Sequence, residues 1–401
     1  MKLLIPFSYY YPEQCAGIYI IEDLMHEAAK QGIASLITVP YPTRNVPGDA
    51  RWMKDEYKEN GRIHIHRFWM FGERKNPFLR ALRYLLCELI QLHYMLWRDY
   101  DVAFIDSTPP IQGLKLPIVK LFRHKPVIYN AQDLFPETLS GAGLARKGGL
   151  LWRIGVRVSK ITFKHSDIII TISEDIKQGI INRGVPERKI KVIYNWVDAD
   201  TLVSIDKSEN PLFEEFGLLS SVFTLVYAGN LGNAQNISII LDAALALPNV
   251  QFAIFGTGGL EDEIKERIMT EKLQNVHLNP LQPFERVSQV YSLGDACIVS
   301  CKPGFGGSAM PSKTWSIMSC SRPVIASFDE GELQSIIDMN ECGIFTHAGN
   351  VTEFIEAIRF LASKPSICEE MGRKARSFVT NNLTKEVGTN KYVDLIKSFD
   401  K

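Results

Sequence analysis

Lys302 and Lys313 bracket a stretch with glycines at 304, 306 and 307, Pro311 and Ser312, running on through SIMSCSRPVIAS to residue 327. Glycines allow close backbone approach, and a proline suits the first turn of a helix. Ser312 and Lys313 then fall near a helix N-terminus, where a lysine opposes the dipole unless an anion shares the site. The pattern points to a bound phosphate; the alternative is an exposed lysine screened by solvent. Where carboxylates would grip a sugar, the stretch offers Ser308 and Ser316.

Four further segments carry residues suited to the same chemistry. VYAGNLGNAQNI, residues 226–237, sets Gly229, Asn230, Gly232 and Gln235 where a strand turns into a helix. Its amides suit a diphosphate, although such a turn can need glycine for φ alone. FAIFGTGGLEDEI, residues 252–264, repeats the turn with Gly256, Gly258 and Gly259, but its three acids offset the helix dipole. It is expected to line the nucleoside end of a ligand or to be a structural turn. YYYPEQCAGIYI, residues 9–20, offers Tyr10 and Tyr11 for stacking on a sugar or on protein neighbours, with Gly17 before a helix. YNAQDLFPETL, residues 129–139, holds Asp133 and Glu137, which could orient a hydroxyl or take its proton. The alternatives there are a turn-capping Asp and a solvated Glu.

These segments all sit at the ends of short apolar runs. KLLIPF, ASLITVP, IHIHRF, VAFID, PVIYNA, DIIITIS and IKVIYN alternate with helical periods such as residues 20–30 and 78–97. FTLVYAG, VQFAIFG, NVHLNP, ACIVS, RPVIAS and CGIFTH repeat the rhythm in the second half. Continuous apolar strands separated by helices predict an α/β chain of two doubly wound parallel sheets, with ligands outside the carboxyl ends of strands. The polar residues 198–221 carry Pro211 and no strand pattern, so the hinge is expected there and the active site in the cleft between the two domains. The expected domains are residues 1–200 and 201–384, followed by a helix within 385–401.

The 401 residues carry 45 basic and 45 acidic side chains, so no global field recruits nucleic acid. Hydrophobic content of 46% and charged content of 22% are those of an ordered globular chain. The seven scattered cysteines form no zinc spacing and read as reduced thiols of a cytoplasmic protein. The first residues read as a strand rather than a signal peptide, and no apolar window of about 18 residues would span a membrane. Two segments are locally basic. One runs from 138 to 166 without an acid and carries Arg146, Lys147, Trp152, Arg153, Arg157, Lys160 and Lys164. The other mixes Arg67, Arg74, Lys75, Arg80 and Arg83 with Phe68, Trp69, Met70 and Phe71, taken as exposed. Together they predict contact with an anionic membrane surface, against the alternative of solvated faces over buried aromatics.

YYYPE, AQDLFPET, TISEDIKQGIINRGVPERKIKVIYNWVD, YAGNLGNAQNI and MPSKTWSIMSCSRPVIA occur in order between residues 9 and 326. Together they resemble glycosyltransferase family 4, in its bacterial branch of O-antigen N-acetylfucosamine transferases and colanic-acid enzymes. The resemblance implies the GT-B fold, with the nucleotide-diphosphate sugar held mainly by the second domain and the last helix packed on the first. It further implies a retaining transfer, without metal or other cofactor, to a polyprenyl-diphosphate-linked saccharide at the inner face of the plasma membrane. The chain departs from the family's pattern at several positions. Two glutamates spaced by eight in many members become Ser308 and Ser316. The usual Arg and Lys after the glycine turn become Asn230 and Gln235 or Asn236, and a histidine near NAQDLF is missing. Lys302 and Lys313 are therefore expected to neutralise the diphosphate, with Ser312 and Ser316 near a 6-deoxy or N-acetylated hexose. UDP is the expected nucleotide. The alternatives are a sugar-nucleotide epimerase of the same fold or a silent subunit that only binds the donor.

Overall fold

A computed structural model describes residues 1–13, 17–43, 46, 48, 50–72, 76–141, 145–308 and 310–400. Arg74 and Lys75 of the upstream basic segment lie outside them. Every apolar run named above becomes a strand. β1 (Lys2–Pro6), β2 (Ala34–Pro40), β3 (Asp55–Lys58), β4 (Ile63–Phe68), β5 (Val102–Asp106), β6 (Val127–Ala131), β7 (Ile168–Thr171) and β8 (Ile190–Val192) form one sheet in the order β3-β4-β2-β1-β5-β6-β7-β8. The second sheet comprises β9 (Thr224–Asn230), β10 (Gln251–Thr257), β11 (Val276–Asn279), β12 (Ala296–Ser300), β13 (Val324–Phe328) and β14 (Gly343–His347), in the order β11-β10-β9-β12-β13-β14. All pairings are parallel except β3 with β4. The polar strand DEYK, β3, went unread because its half-exposed residues show no apolar run.

Burial follows from the topology. Crossover helices cover the faces of a parallel sheet, so β5, β6, β12 and β13 are buried at every position. In each sheet the strand order reverses once, between β1 and β5 and between β9 and β12. Loops diverge to opposite faces at such a point and leave a crevice at the carboxyl ends.

The chain divides into two compact units. The first takes in Met1–Leu139, Ala145–Tyr194 and the chain from Gly388 onward, and the second is built on Asn195–Val387. The crossing from first to second therefore comes at 194/195, upstream of the expected hinge. Residues 198–221 belong to the second unit despite their polarity, because backbone and charged side chains pin them. Arg376 donates to the carbonyls of Ala199 and Leu202, Ser319 Oγ donates to Leu202 O at 2.7 Å, and Lys207 pairs with Asp295 at 2.7 Å. The helix Lys385–Lys397 joins the first unit from Gly388, where Tyr392 is fully buried and donates to Asn130 Oδ1 at 3.1 Å.

Candidate functional site

In the second unit the reversal point is built by two loops bonded to each other. Lys302 N donates to Ala234 O at 2.8 Å, and Ser300 Oγ donates to Gln235 O at 2.5 Å, so the β12 loop is fixed to the β9 turn. Gly229 stands at φ +145°, a conformation that disfavours any side chain. A Cβ there would also lie 2.7 Å from Lys313 Nζ. The ammonium thus sits directly against the strand end, 4.0 Å from the centre of the Tyr227 ring, whose hydroxyl donates to Asn230 O at 2.8 Å.

Lys313 begins the helix Lys313–Ser319, as the position of Pro311 predicts. No carboxylate pairs with it among the described residues. Burial without a counter-charge pushes its ammonium down to about 8 from the ordinary 10.5. Among the described residues the ammonium of this half-buried lysine is set against the face of the Tyr227 ring, with no carboxylate to neutralise it. Ser316, half-buried, and Ser312, exposed, lie on the same helix and its N-cap.

The other members of the expected donor site divide. Lys302 lines a small cavity of about 70 Å³ with Asn236, Glu263 and Arg267, and Lys313 is not part of that lining. Lys302 thus faces that cavity, while Lys313 faces Tyr227 and Gly229. The glycines at 304 and 306 do not present free amides either. Asp329, just past β13, accepts from Gly304 N at 3.0 Å and from Gly306 N at 2.7 Å, and Ser308 Oγ closes on Phe305 O at 3.0 Å. The expected phosphate cradle in that loop is thus a carboxylate-pinned turn. Gly256 and Gly258 serve packing, since a Cβ at either would run into the Gly229–Leu231 backbone. A Cβ at Gly232 would meet Asn230 Nδ2 at 2.6 Å, and Gln235 Oε1 is buried nearby without a partner.

In the first unit, the loop after β6 carries Asp133, whose side chain is exposed. Its expected companion Glu137 is instead committed to Arg183, which also holds Phe135 O. The polar partner that sequence reading missed is Asp106, the last residue of β5. It is buried, accepts from Asn130 Nδ2 at 3.0 Å and Thr108 N at 3.0 Å, and burial pushes it up to about 6. Gln132 links the group by donating to Asn130 Oδ1 at 3.0 Å. The signal was present as an acid closing an otherwise apolar strand, VAFID, at the reversal point of the sheet.

Tyr10 does not stack on a ligand. It is 2% exposed, its hydroxyl donates to Glu22, and Arg67 lies near its ring. Tyr11 is 44% exposed, and Gly17 at φ +87° has open space around it before the helix Ile18–Lys30.

The basic segments also part company. Arg67 and Arg83 are buried and bind backbone carbonyls, and Phe68 and Met70 are core, which leaves Trp69 as the exposed aromatic. The helix Leu150–His165 keeps its basic residues at the surface. Arg153, Arg157, Lys160 and Lys164 are exposed on it beside exposed Leu150, Leu151 and Ile154. Gly155 allows this helix to press on Pro136, and Ser159 Oγ donates to Phe135 O at 2.8 Å, so it abuts the Asp133 loop. No helix among the described residues is long and apolar enough to cross a membrane. The described cysteines are free and buried.

Residues 20–201 match the model of "Glycosyltransferase Family 4" and residues 209–378 that of "Glycosyl transferases group 1". The chain is 25% identical over 335 residues to a putative colanic acid biosynthesis glycosyl transferase, WcaI, of Escherichia coli, covering 80% of this chain and 81% of that protein. It is 22% identical over 307 residues to a probable glycosyltransferase, WbjE, of Pseudomonas aeruginosa, with 75% of each covered. Its structure superposes on that of Anabaena HepE in complex with UDP with a TM-score of 0.75 at 15% identity, covering 99% of this chain and 100% of the other. The fold is GT-B, as expected.

Proposed function

Since this glycosyltransferase carries a family 4 domain followed by a group 1 domain, we propose that it moves a hexose from a nucleotide-diphosphate donor, with retention, to a lipid-linked saccharide. UDP is the proposed nucleotide, in line with the UDP bound to the HepE structure. An N-acetylated or 6-deoxy hexose such as N-acetyl-L-fucosamine is the proposed sugar, and a polyprenyl-diphosphate saccharide of O-antigen or capsule assembly the acceptor. The two matched domains and the names of the relatives favour a transferase over the epimerase and silent-subunit alternatives.

The observation that carries the donor site is Lys313 at Gly229, a desolvated cation with no carboxylate partner among the described residues, at the reversal point of the second sheet. As the bond between C1 and the diphosphate oxygen breaks, negative charge grows on the leaving group. A fixed ammonium stabilises that charge more than it stabilises the ground state. Transfer would proceed in this way without a metal. The new bond forms from an acceptor hydroxyl to C1, and that hydroxyl's proton leaves with the diphosphate or to solvent. Ser316 and Ser312, on the helix that Lys313 begins and at its N-cap, would address the donor. Asp133, with Asp106 and Asn130 beneath it, would orient the acceptor hydroxyl.

Lipid-linked acceptors suit a chain that docks on an anionic surface. The cationic and aliphatic face of the helix Leu150–His165, beside the Asp133 loop, supports that docking. The test is a panel of UDP- and GDP-sugars with a short-chain polyprenyl-diphosphate saccharide, followed by the anomeric coupling of the product. An α-donor giving an α-linked product with release of UDP supports the proposal; inversion refutes retention. A Lys313→Ala protein of unchanged kcat and KM would remove Lys313 from the site.

A further inference from the structure

Among the described residues, one group of side chains has the composition and spacing of metal ligands, and it lies away from the site above. Asp55 on β3, and His64 and His66 on β4, each offer an atom within 4.8 Å of the others. The antiparallel register sets Asp55 directly opposite His66, and residues 64 and 66 share a face of β4 because strand side chains alternate. Both imidazoles converge on a single oxygen, with His66 Nδ1 2.6 Å and His64 Nε2 2.9 Å from Asp55 Oδ1. Two ring nitrogens and one carboxylate oxygen pointing at one place form the donor set that zinc-class cations take.

The surrounding side chains hold the rings in that pose. His66 Nε2 lies 2.9 Å from Tyr94 Oη, so the second nitrogen has a fixed partner and the first is directed at Asp55. Tyr57 stacks on His64 with ring centres 4.4 Å apart. Asp55 supplies the carboxylate oxygen that both rings address. The carboxyl is partly exposed, which leaves coordination positions open to water.

We propose that Asp55, His64 and His66 form a site for a divalent cation of the zinc class that clips the short edge strand β3 to β4. The cation would take the place of the two protons now shared with Asp55 Oδ1, binding His64 through Nε2 and His66 through Nδ1, with water completing the shell. Ligand distances near 2.0–2.1 Å at tetrahedral angles set neighbouring donors about 3.3 Å apart, so the ring nitrogens, now 2.6 and 2.9 Å from Asp55 Oδ1, must open from it by roughly half an ångström to admit the ion. Edge strands expose unpaired backbone, and β3 has few apolar residues to hold it, so a cross-strand ligand set gives it an anchor that sequence alone does not.

The test uses the full chain, stripped with a chelator and dialysed metal-free. Zinc chloride titrated against a competing chromophoric chelator should bind at one site per chain with micromolar or tighter affinity, and the melting temperature should rise. Cobalt chloride in place of zinc should give a visible d–d spectrum of a four- or five-coordinate nitrogen and oxygen site without thiolate charge transfer. Asp55→Ala, His64→Ala and His66→Ala should each weaken binding at least a hundredfold. Tyr94→Phe should keep the stoichiometry and weaken affinity by about tenfold or more. Binding that survives the three alanine variants, a thiolate spectrum, or affinity no better than millimolar overturns the proposal. Turnover does not enter the test, because the site is separate from Lys313 and Asp133.

Discussion

Replacing Lys313 with methionine should stabilise the ligand-free protein and weaken its hold on a nucleotide-diphosphate. Burial lowers the ammonium from 10.5 to about 8, which corresponds to roughly 3 kcal/mol of unfavourable desolvation at neutral pH. Methionine keeps most of the side-chain volume but forfeits the contact with the Tyr227 ring, worth about 1 kcal/mol. The net expected gain is about 2 kcal/mol, or ~4–8 °C in the melting of a unit this size. Its pH dependence has a definite sign. Below pH 8 the lysine is charged in both the folded and unfolded chain, so the whole penalty is present and the variant's advantage is full. Between about 8 and 10.5 the folded protein has released the proton that the unfolded chain retains, so wild-type stability rises and the advantage fades. Urea melts at pH 7 and pH 9.5, run alongside calorimetric binding of UDP, measure both sides. Donor binding at pH 8 should also take up about half a proton per site, visible as a buffer-dependent heat. A variant that is less stable at pH 7, or one that binds UDP as tightly as wild type, would refute the reasoning.

Three other changes probe the framework around the site. Asp329→Ala should cost about 2–3 kcal/mol, because two loop amides lose a charged acceptor, and a drop of under 1 kcal/mol in urea melts would contradict that role. Asp106 is raised to about 6, so its folded form holds a proton that the unfolded chain releases above about pH 4. Stability tied to that proton is present below pH 4 and lost as pH rises through 6, so Asp106→Asn should gain about 3 kcal/mol at pH 7.5 relative to its effect at pH 3.5, where it gains nothing. Serine at Leu150, Leu151 and Ile154 together should abolish flotation with anionic vesicles at low salt while leaving UDP binding intact; unchanged flotation removes this helix from the docking surface.

The parallel strands were legible because apolar runs in a covered sheet have no competing pattern. β3 escaped for the opposite reason, being an edge strand of DEYK held by cross-strand pairing. Residues 198–221 looked like a linker since their anchors are Arg376, Ser319 and Asp295, remote in sequence and invisible to composition. The same remoteness hid Asp329 from any reading of the glycine loop and Arg183 from any reading of Glu137. The helix start at Lys313 could be read, because Pro311 marks it locally. Tyr10 could not, since Glu22 and Arg67 enclose it only once helix and sheet have packed. Asp106 was readable in principle as the acid ending a buried strand.

The account stands most directly on where the leaving diphosphate is met. Single-turnover transfer from a matched UDP-sugar to a polyprenyl-diphosphate saccharide, compared between wild type and Lys313→Met, measures that step alone. The expected result is a chemical rate lowered at least about tenfold, or 1.4 kcal/mol of transition-state stabilisation, even at saturating donor. Equal rates at saturating donor would contradict it and place the charge-bearing group elsewhere.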